Sequence, residues 1–324
     1  MNSLELLKKS NVITWWYAFI VCIIASFIQG ITFDFILNPH IQNKLIAYLT
    51  SYIASLLFII LFVRYFENNS LKTLGFKESK IVKSVITGFI FAMFSLILIV
   101  GIMFLLTNVN FNLLKDSNYK MIIVVFFLFG IQGFIEELIF RGYLMNRIAA
   151  SKGKWWGVYI NSLFFLIFHM KNPSVSYISS VNIYIFGVVL SLIFWYTDNI
   201  LIVGALHGAW NIILGVFMGG YVSGIKISNT IFNLTFDSEN ILLTGGSFGI
   251  EGSIISTIYL IIIGILLYVG LYIQMFRKIN NNKYLKSLFI LCFLILSSAK
   301  IQKKDCKINF IDYFCINICM NNDL

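Results

Sequence analysis

Eight apolar runs dominate the chain, and most of them are about as long as a bilayer is thick. A transmembrane helix needs about 20 residues to cross a hydrocarbon core of ~30 Å. Charged residues make up only 12% of the 324 residues, about half the share found in soluble domains. The sequence therefore predicts an all-α fold, a polytopic membrane helix bundle with about eight transmembrane helices. The predicted spans are Val12–Phe33, Leu45–Val63, Val85–Leu106, Met121–Leu144, Trp155–Met170, Val175–Tyr196, Ile200–Phe217 and Ile254–Met275.

Basic residues are unevenly shared between the loops on the two sides of this bundle. Cytoplasmic loops carry the excess of lysine and arginine in membrane proteins. With an inside N-terminus, the inner loops are much richer in these residues than the outer ones, so both ends of the bundle are predicted to be cytoplasmic. The net charge of +10 is explained by this bias, and no basic helix suggests a nucleic-acid partner. The outer bases are Lys44, Lys115, Lys120, Lys171 and Lys226, and the inner ones include Lys8, Lys9, Arg64, Lys72, Lys77, Lys80, Lys83, Arg147, Lys152 and Lys154.

The domain organisation follows from where the apolar runs end. Residues 1–284 are predicted to form the membrane bundle, and residues 285–324 form a C-terminal tail to which no role is assigned. The glycine-rich stretch Gly245–Gly252 follows no strand, which a phosphate-binding loop requires. It is therefore predicted to be a flexible outer loop.

Three charged residues lie inside the fourth apolar run. Glu136, Glu137 and Arg141 have apolar neighbours on both sides. A charge near the bilayer centre costs roughly 2.5–3.5 kcal/mol on insertion scales, so such residues usually face the protein interior or a water-filled cavity. Glu137 and Arg141 have the i, i+4 spacing of a helical ion pair with the acid first. Glu136 is left without a local cation, which predicts that Glu136 serves chemistry and that the other two are structural.

Polar partners for Glu136 occur in two other spans. His169 closes one span with Phe165 one turn before it, and His207 is followed one turn later by Asn211. At a rise of ~1.5 Å per residue, Glu136, His169, His207 and Asn211 lie ~12, ~21, ~10 and ~16 Å from the inner ends of their spans. All four depths fall around the middle of the bilayer. The sequence therefore predicts one buried polar cavity lined by three helices.

These motifs together resemble the type II CAAX prenyl endopeptidases, also known as the CPBP or Abi group of intramembrane proteases. The resemblance covers a motif core of residues 121–217 and implies hydrolysis of a peptide bond within the membrane. Its three motifs are Glu136-Glu137-x-x-x-Arg141, Phe165-x-x-x-His169 and His207-x-x-x-Asn211.

The resemblance also implies a role for each polar residue. Glu136 and His169 would hold and deprotonate the attacking water. His207 and Asn211 would donate hydrogen bonds to the oxyanion of the tetrahedral intermediate, while Phe165 would support His169 by packing. Glu136, His169 and His207 also form a donor set compatible with catalytic zinc or another divalent metal. Water activation without a metal is slightly favoured.

Two other functions are compatible with the same residues. A non-enzymatic immunity or scaffold protein could retain the motifs, and a proton-coupled transporter could use Glu136 as a relay. The transporter is disfavoured because no repeat or proline-broken helix pair is visible. The expected location is a bacterial cell membrane. The expected partners are membrane lipids and a membrane-associated substrate, either a prenylated protein or a leader peptide.

Overall fold

A computed structural model describes residues 2–10, 14–77, 81–115, 117–236 and 240–280, with side chains as far as Gln274. The chain divides into two compact units, Met1–Tyr268 and Val269–Leu324. The second unit is described only over residues 269–280, which are the C-terminal part of the helix Ile254–Asn280. The predicted boundary between residues 284 and 285, and the tail beyond it, lie outside the described residues.

Eleven α-helices follow one another along the described part of the chain, and several continue into short segments with wider, π-helical turns. They are α1 Ser3–Lys8, α2 Trp15–Ile31 (wide turns Thr32–Leu37), α3 Lys44–Leu61 (wide turns Phe62–Phe66), α4 Ile81–Leu106, α5 Tyr119–Glu137 (wide turns Leu138–Met145), α6 Asn146–Lys152, α7 Lys154–His169, α8 Tyr177–Thr197, α9 Ile200–Asn211 (wide turns Ile212–Phe217), α10 Ile241–Thr244 and α11 Ile254–Asn280.

Side-chain caps explain where many of these helices begin. The first backbone N–H groups of a helix have no intrahelical acceptor, and a preceding Asn or Ser side chain can accept from one of them. Such caps precede α1, α3, α5, α8, α9 and α10, at Asn2, Asn43, Asn118, Ser176, Asn199 and Asn240.

The predicted helix bundle is confirmed, and two of its helical segments depart from the usual length of a membrane span. Seven described helical segments are long and apolar enough to cross a membrane. The predicted span Trp155–Met170 corresponds to α7, which has only 16 residues and is therefore ~24 Å long, short of a full bilayer. The predicted span Met121–Leu144 is instead part of one helical segment, Tyr119–Lys152, of 34 residues.

Close helix packing brings the motif-bearing segments together. A Cβ atom built on Gly133 of α5 would lie 2.6 Å from the backbone nitrogen of Gly208 in α9. A Cβ on Gly88 of α4 would lie 2.4 Å from the carbonyl oxygen of Ile202 in α9. Small residues allow membrane helices to approach to backbone contact. Helix α9 therefore packs tightly against both α4 and α5, which places His207 next to Glu136 and Glu137.

Two short antiparallel sheets lie between these helices in sequence. Strands β1 (Val109–Leu113) and β4 (Phe232–Phe236) form one sheet. Strands β2 (Tyr221–Val222) and β3 (Ile225–Lys226) form the second.

The stretch Gly245–Gly252 is packed against the protein and folds into two 3₁₀ turns, Gly246–Phe248 and Ile250–Gly252. Phe248 and Ile250 are each 1% exposed, and Glu251 accepts hydrogen bonds from Trp210 and Ser223. The high glycine content predicted a flexible outer loop. Glycine content carries no information about tertiary contacts, and the structure shows a packed segment instead.

One predicted loop cation, Arg147, is fully buried rather than solvated. Its guanidinium forms an ion pair with Glu67 and lies 4.1 Å above the ring of Tyr143. Arg147 therefore adds no solvated charge to the bias from which the orientation was predicted.

Candidate active site

The two oxygens of the Glu136 carboxylate have different surroundings. Oε1 accepts hydrogen bonds from the Tyr52 hydroxyl at 2.9 Å and from Gln132 Nε2 at 2.6 Å. Oε2 is buried and has no hydrogen-bond partner among the described residues. It lies 3.8 Å from His169 Nε2 and 3.9 Å from His207 Nε2. The structure therefore brings Glu136 and the two predicted histidines together around one free carboxylate oxygen.

His169 is oriented by its own helix. Its Nδ1 lies 2.8 Å from the carbonyl oxygen of Phe165, and a carbonyl can only accept, so Nδ1 carries the proton. The Phe165 ring packs against the imidazole with a centroid distance of 4.3 Å. When the ring is neutral, Nε2 therefore carries the lone pair and directs it towards Glu136.

His207 is oriented by the second acid of the pair. Its Nδ1 lies 2.8 Å from Glu137 Oε1, and an ionised carboxylate can only accept. The Nε2 atom of His207 then points towards Glu136. The spacing of Glu137 and Arg141 predicted a local ion pair but not this contact with α9. Glu137 therefore orients a candidate catalytic histidine as well as pairing with Arg141.

Arg141 connects the site to the surrounding helices. Its Nη1 lies 2.8 Å from Glu137 Oε1, and neither side chain is exposed. Its Nη2 donates to the Gly187 carbonyl at 3.0 Å, and its guanidinium lies 4.4 Å above the Phe165 ring. Arg141 belongs to the wide-turn segment Leu138–Met145, and such π-helical insertions frequently occur at functional sites. The predicted ion pair is present and also reaches α7 and α8.

Asn211 lines the same cavity as Glu136, His169 and His207. Its Nδ2 donates to Gln132 Oε1 at 2.9 Å. A side-chain amide has two N–H bonds, so one donor of Asn211 remains for another acceptor.

Two residues of the site, Gln132 and Tyr52, were missed from the sequence. Gln132 precedes Glu136 by one helical turn, a spacing at which side chains meet, and is a polar residue inside an apolar run. This signal was present in the sequence. Tyr52 carried no such signal, because it comes from α3, which contributes no recognised motif.

The cavity around these residues has a volume of about 140 Å³. Its wall combines the catalytic candidates with the polar side chains Gln29, Tyr48 and Tyr52, and with Asn172 and Ser223 from connecting segments. The volume is several times the ~30 Å³ share of a liquid water molecule. The cavity therefore has room for a hydrolytic water and for part of a substrate.

The separation of the three candidate metal ligands bears on the zinc hypothesis. Zinc at ~2.0–2.1 Å from tetrahedral ligands places them ~3.3 Å apart. A water hydrogen-bonded to two atoms at ~2.8 Å and a tetrahedral angle places them ~4.5 Å apart. The observed 3.8 and 3.9 Å lie between these values. No group of three acidic, cysteine or histidine side chains with metal-binding geometry occurs among the described residues, and the zinc alternative stays a prediction.

Comparison with known protein families identifies the segment that carries this site. Residues 118–213 match the family model described as "Type II CAAX prenyl endopeptidase Rce1-like", which confirms the resemblance predicted from the motifs. The match covers α5 to α9, including all seven predicted site residues. No curated protein matches the chain. The family and the apolar helices identify an integral membrane protein, and the family supports an intramembrane endopeptidase of the CAAX-protease type.

Proposed function

We propose that this chain, whose central segment belongs with the Rce1-like type II CAAX prenyl endopeptidases, hydrolyses a peptide bond with a water activated by Glu136 and His169. The observation that carries the proposal is the free Oε2 of Glu136, which faces the Nε2 atoms of His169 and His207. A buried carboxylate oxygen without a hydrogen bond is costly, and general-base chemistry gives a reason to keep one.

The proposed mechanism assigns each proton. A water held by Glu136 Oε2 and the lone pair of His169 attacks the peptide carbonyl, and its oxygen forms the new C–O bond while Glu136 takes its proton. The tetrahedral intermediate keeps the second proton of the water on the new hydroxyl group. It then collapses, the C–N bond breaks, and that proton leaves with the carboxyl product. Glu136 returns the proton to the leaving amine, so the enzyme ends in its starting state.

His207 and Asn211 are proposed to stabilise the oxyanion. Preorganised donors at the place where negative charge develops lower an acyl-transfer barrier. Asn211 has an amide N–H to offer. His207 donates from Nε2 only when its ring carries a second proton, and the neighbouring Glu137 carboxylate stabilises that positive charge.

Chelation decides between the two modes of water activation. If zinc binds, Glu136, His169 and His207 are the candidate ligands, and the metal would polarise the water. We expect full activity after stringent chelation. Activity that is lost on chelation and restored by added zinc would instead establish water activation by a bound metal ion.

The substrate class and the location are part of the same proposal. The partners are membrane lipids and a membrane-associated peptide, either prenylated or carrying a leader, in a bacterial cell membrane with the N-terminus inside. Reporter fusions after Lys77 should read cytoplasmic and fusions after Lys115 should read external. A cytoplasmic signal after Lys115 would reverse the orientation and leave the chemistry of the site intact.

Comparative peptidomics tests the activity itself. Cells carrying the native chain should release membrane-derived peptides that are absent from cells carrying Glu136→Ala at equal expression. Identical peptide profiles would remove the protease proposal and favour a non-enzymatic role.

A further inference from the structure

We propose that Tyr52 and Gln132 are positioning residues that occupy one oxygen of Glu136 and leave the other as the base. This inference rests on the proposed function and adds two residues to it that lie outside its three motifs. Both donate to Oε1 of Glu136, at 2.9 and 2.6 Å. With Oε1 held from two directions, Oε2 is directed towards the histidines.

The orientation of the Gln132 amide is fixed by a hydrogen-bond partner at each of its two ends. An ionised carboxylate has no proton to give, so the amide nitrogen of Gln132 faces Glu136. The amide oxygen then accepts from Asn211 Nδ2 at 2.9 Å. Gln132 therefore connects the base on α5 to the proposed oxyanion donor on α9, and a rotation of one side chain would disturb the other.

Tyr52 is fixed by a second tyrosine. Its only hydroxyl proton goes to Glu136, so its oxygen accepts from the Tyr48 hydroxyl, 3.0 Å away and one turn earlier on α3. Tyr48 therefore reaches Glu136 only indirectly, through its hydrogen bond to Tyr52. It offers a matched control, because Tyr48→Phe and Tyr52→Phe each delete one hydroxyl from the same helix face.

The physical consequence concerns the orientation of Glu136. The terminal torsion of a glutamate is broad unless contacts fix it. Two donors on Oε1 fix that torsion in a buried site without using the oxygen that does the chemistry. Deleting either donor should let the carboxylate rotate and misdirect Oε2, while the substrate-binding surface changes little.

The first test is kinetic and uses the full chain in detergent or lipid. We expect Tyr52→Phe and Gln132→Met each to lower kcat by about tenfold or more, the effect of losing a hydrogen bond to a charged group, with KM nearly constant. Tyr48→Phe should lower kcat less. A fall in activity that is matched by a loss of thermal stability, or that is carried by KM with kcat unchanged, would mean a structural or binding role and overturn the proposal.

The second test reads Glu136 without catalysis. Infrared difference spectra between the native chain and Glu136→Gln isolate the carboxylate stretching bands of Glu136, whose frequencies depend on the hydrogen bonds to its two oxygens. These bands should shift in Tyr52→Phe and Gln132→Met and stay in place in Tyr48→Phe. Unshifted bands in the first two variants would refute the positioning role even if activity fell. Shifted bands in a protein that cleaves nothing would uphold this network and reject the proposed protease function.

Discussion

Glu67 and Glu136 are buried to the same degree, at 8% and 7% exposure, yet their hydrogen bonding differs. Both oxygens of Glu67 are occupied: Oε1 accepts from Tyr143 at 2.9 Å and from Arg147 Nε at 3.3 Å, and Oε2 accepts from Asn69 at 3.2 Å and pairs with Arg147 Nη2. Glu136 keeps one oxygen without a partner among the described residues. Burial alone therefore does not distinguish a structural carboxylate from a reactive one. A free oxygen does so only where it also borders the cavity, because Glu137 too has an Oε2 without a partner among the described residues, yet it is fully buried.

The two carboxylates also differ in what surrounds them. Glu67 contacts a fully buried arginine, and its charge is neutralised within the protein. Glu136 contacts neutral donors and two imidazole rings, and it borders the cavity. Breaking a buried ion pair is strongly destabilising, whereas replacing a catalytic carboxylate by an amide need not be. Substitutions at the two places should therefore separate stability from activity.

The largest effect is expected at Glu136 itself. Glu136→Gln keeps the shape of the side chain and an oxygen that can accept from Tyr52, but removes the base. Activity should fall by roughly 10²–10⁴, the usual contribution of general acid–base catalysis, at an unchanged melting temperature. Turnover and thermal unfolding are measured on the same purified sample. Retained activity here, together with an inactive and folded Glu137→Gln, would exchange the roles of the two acids.

The second prediction concerns the structural pair. Arg147→Met leaves Glu67 buried without its cation, and the expected cost is about 3–5 kcal/mol of stability. The specific activity of the molecules that remain folded should not change. Combining Arg147→Met with Glu67→Gln removes the unpaired charge and should recover part of the stability, as a double-mutant cycle would report. A single variant as stable as the parent would show that the pair is not structural.

The helix bundle and several site residues could be predicted from the sequence, but the contacts that distinguish Glu67 from Glu136 could not. Apolar run length predicted the bundle, and the i, i+4 spacings placed Glu137 with Arg141 and His207 with Asn211. Helical spacing reports neighbours on one helix only. The contact between Glu137 and His207, the bond from Tyr52 to Glu136, and the pairing of Arg147 with Glu67 depend on how helices cross, and a local pattern cannot contain that information. The bond from Gln132 to Glu136 lies within one helix at i, i+4 spacing and could have been predicted. The shortness of α7 was already visible in the sequence, because the predicted span Trp155–Met170 is as short as the helix that it forms.

The third prediction tests the other side of the site. Asn211→Ala removes the proposed oxyanion donor and should lower turnover by about 10²–10³, with substrate binding little changed. Asn211→Asp should be worse at neutral pH when ionised, because it places negative charge where more must develop. Turnover and KM of both variants are compared with the parent. A faster Asn211→Asp than Asn211→Ala would remove the oxyanion role and favour a ligand or base-orienting role.

The smallest effect is expected at a third buried carboxylate, Glu251, which resembles Glu67 in having both oxygens bonded. Oε1 accepts from the Trp210 indole at 2.8 Å, and Oε2 accepts from the backbone and hydroxyl of Ser223. Burial raises the pKa of Glu251 above its ordinary value, although these hydrogen bonds oppose the change. A carboxyl whose folded-state pKa is raised binds its proton more tightly in the folded protein. Its stabilising contribution is therefore present below the unfolded-state pKa and is lost as the pH rises through the folded-state pKa.

This linkage gives a measurable difference between the native chain and Glu251→Gln. The melting temperature of the native protein should decline slightly as the pH rises through that window, and the decline should be weaker in Glu251→Gln, because an amide does not titrate. Turnover at neutral pH should be nearly the same in both proteins, since a carboxylate with both oxygens occupied is not available as a base. A large loss of turnover in Glu251→Gln without a loss of stability would contradict the rule drawn from Glu67 and Glu136. It would place Glu251, which borders a second cavity with His169 and His207, among the groups that act on the substrate.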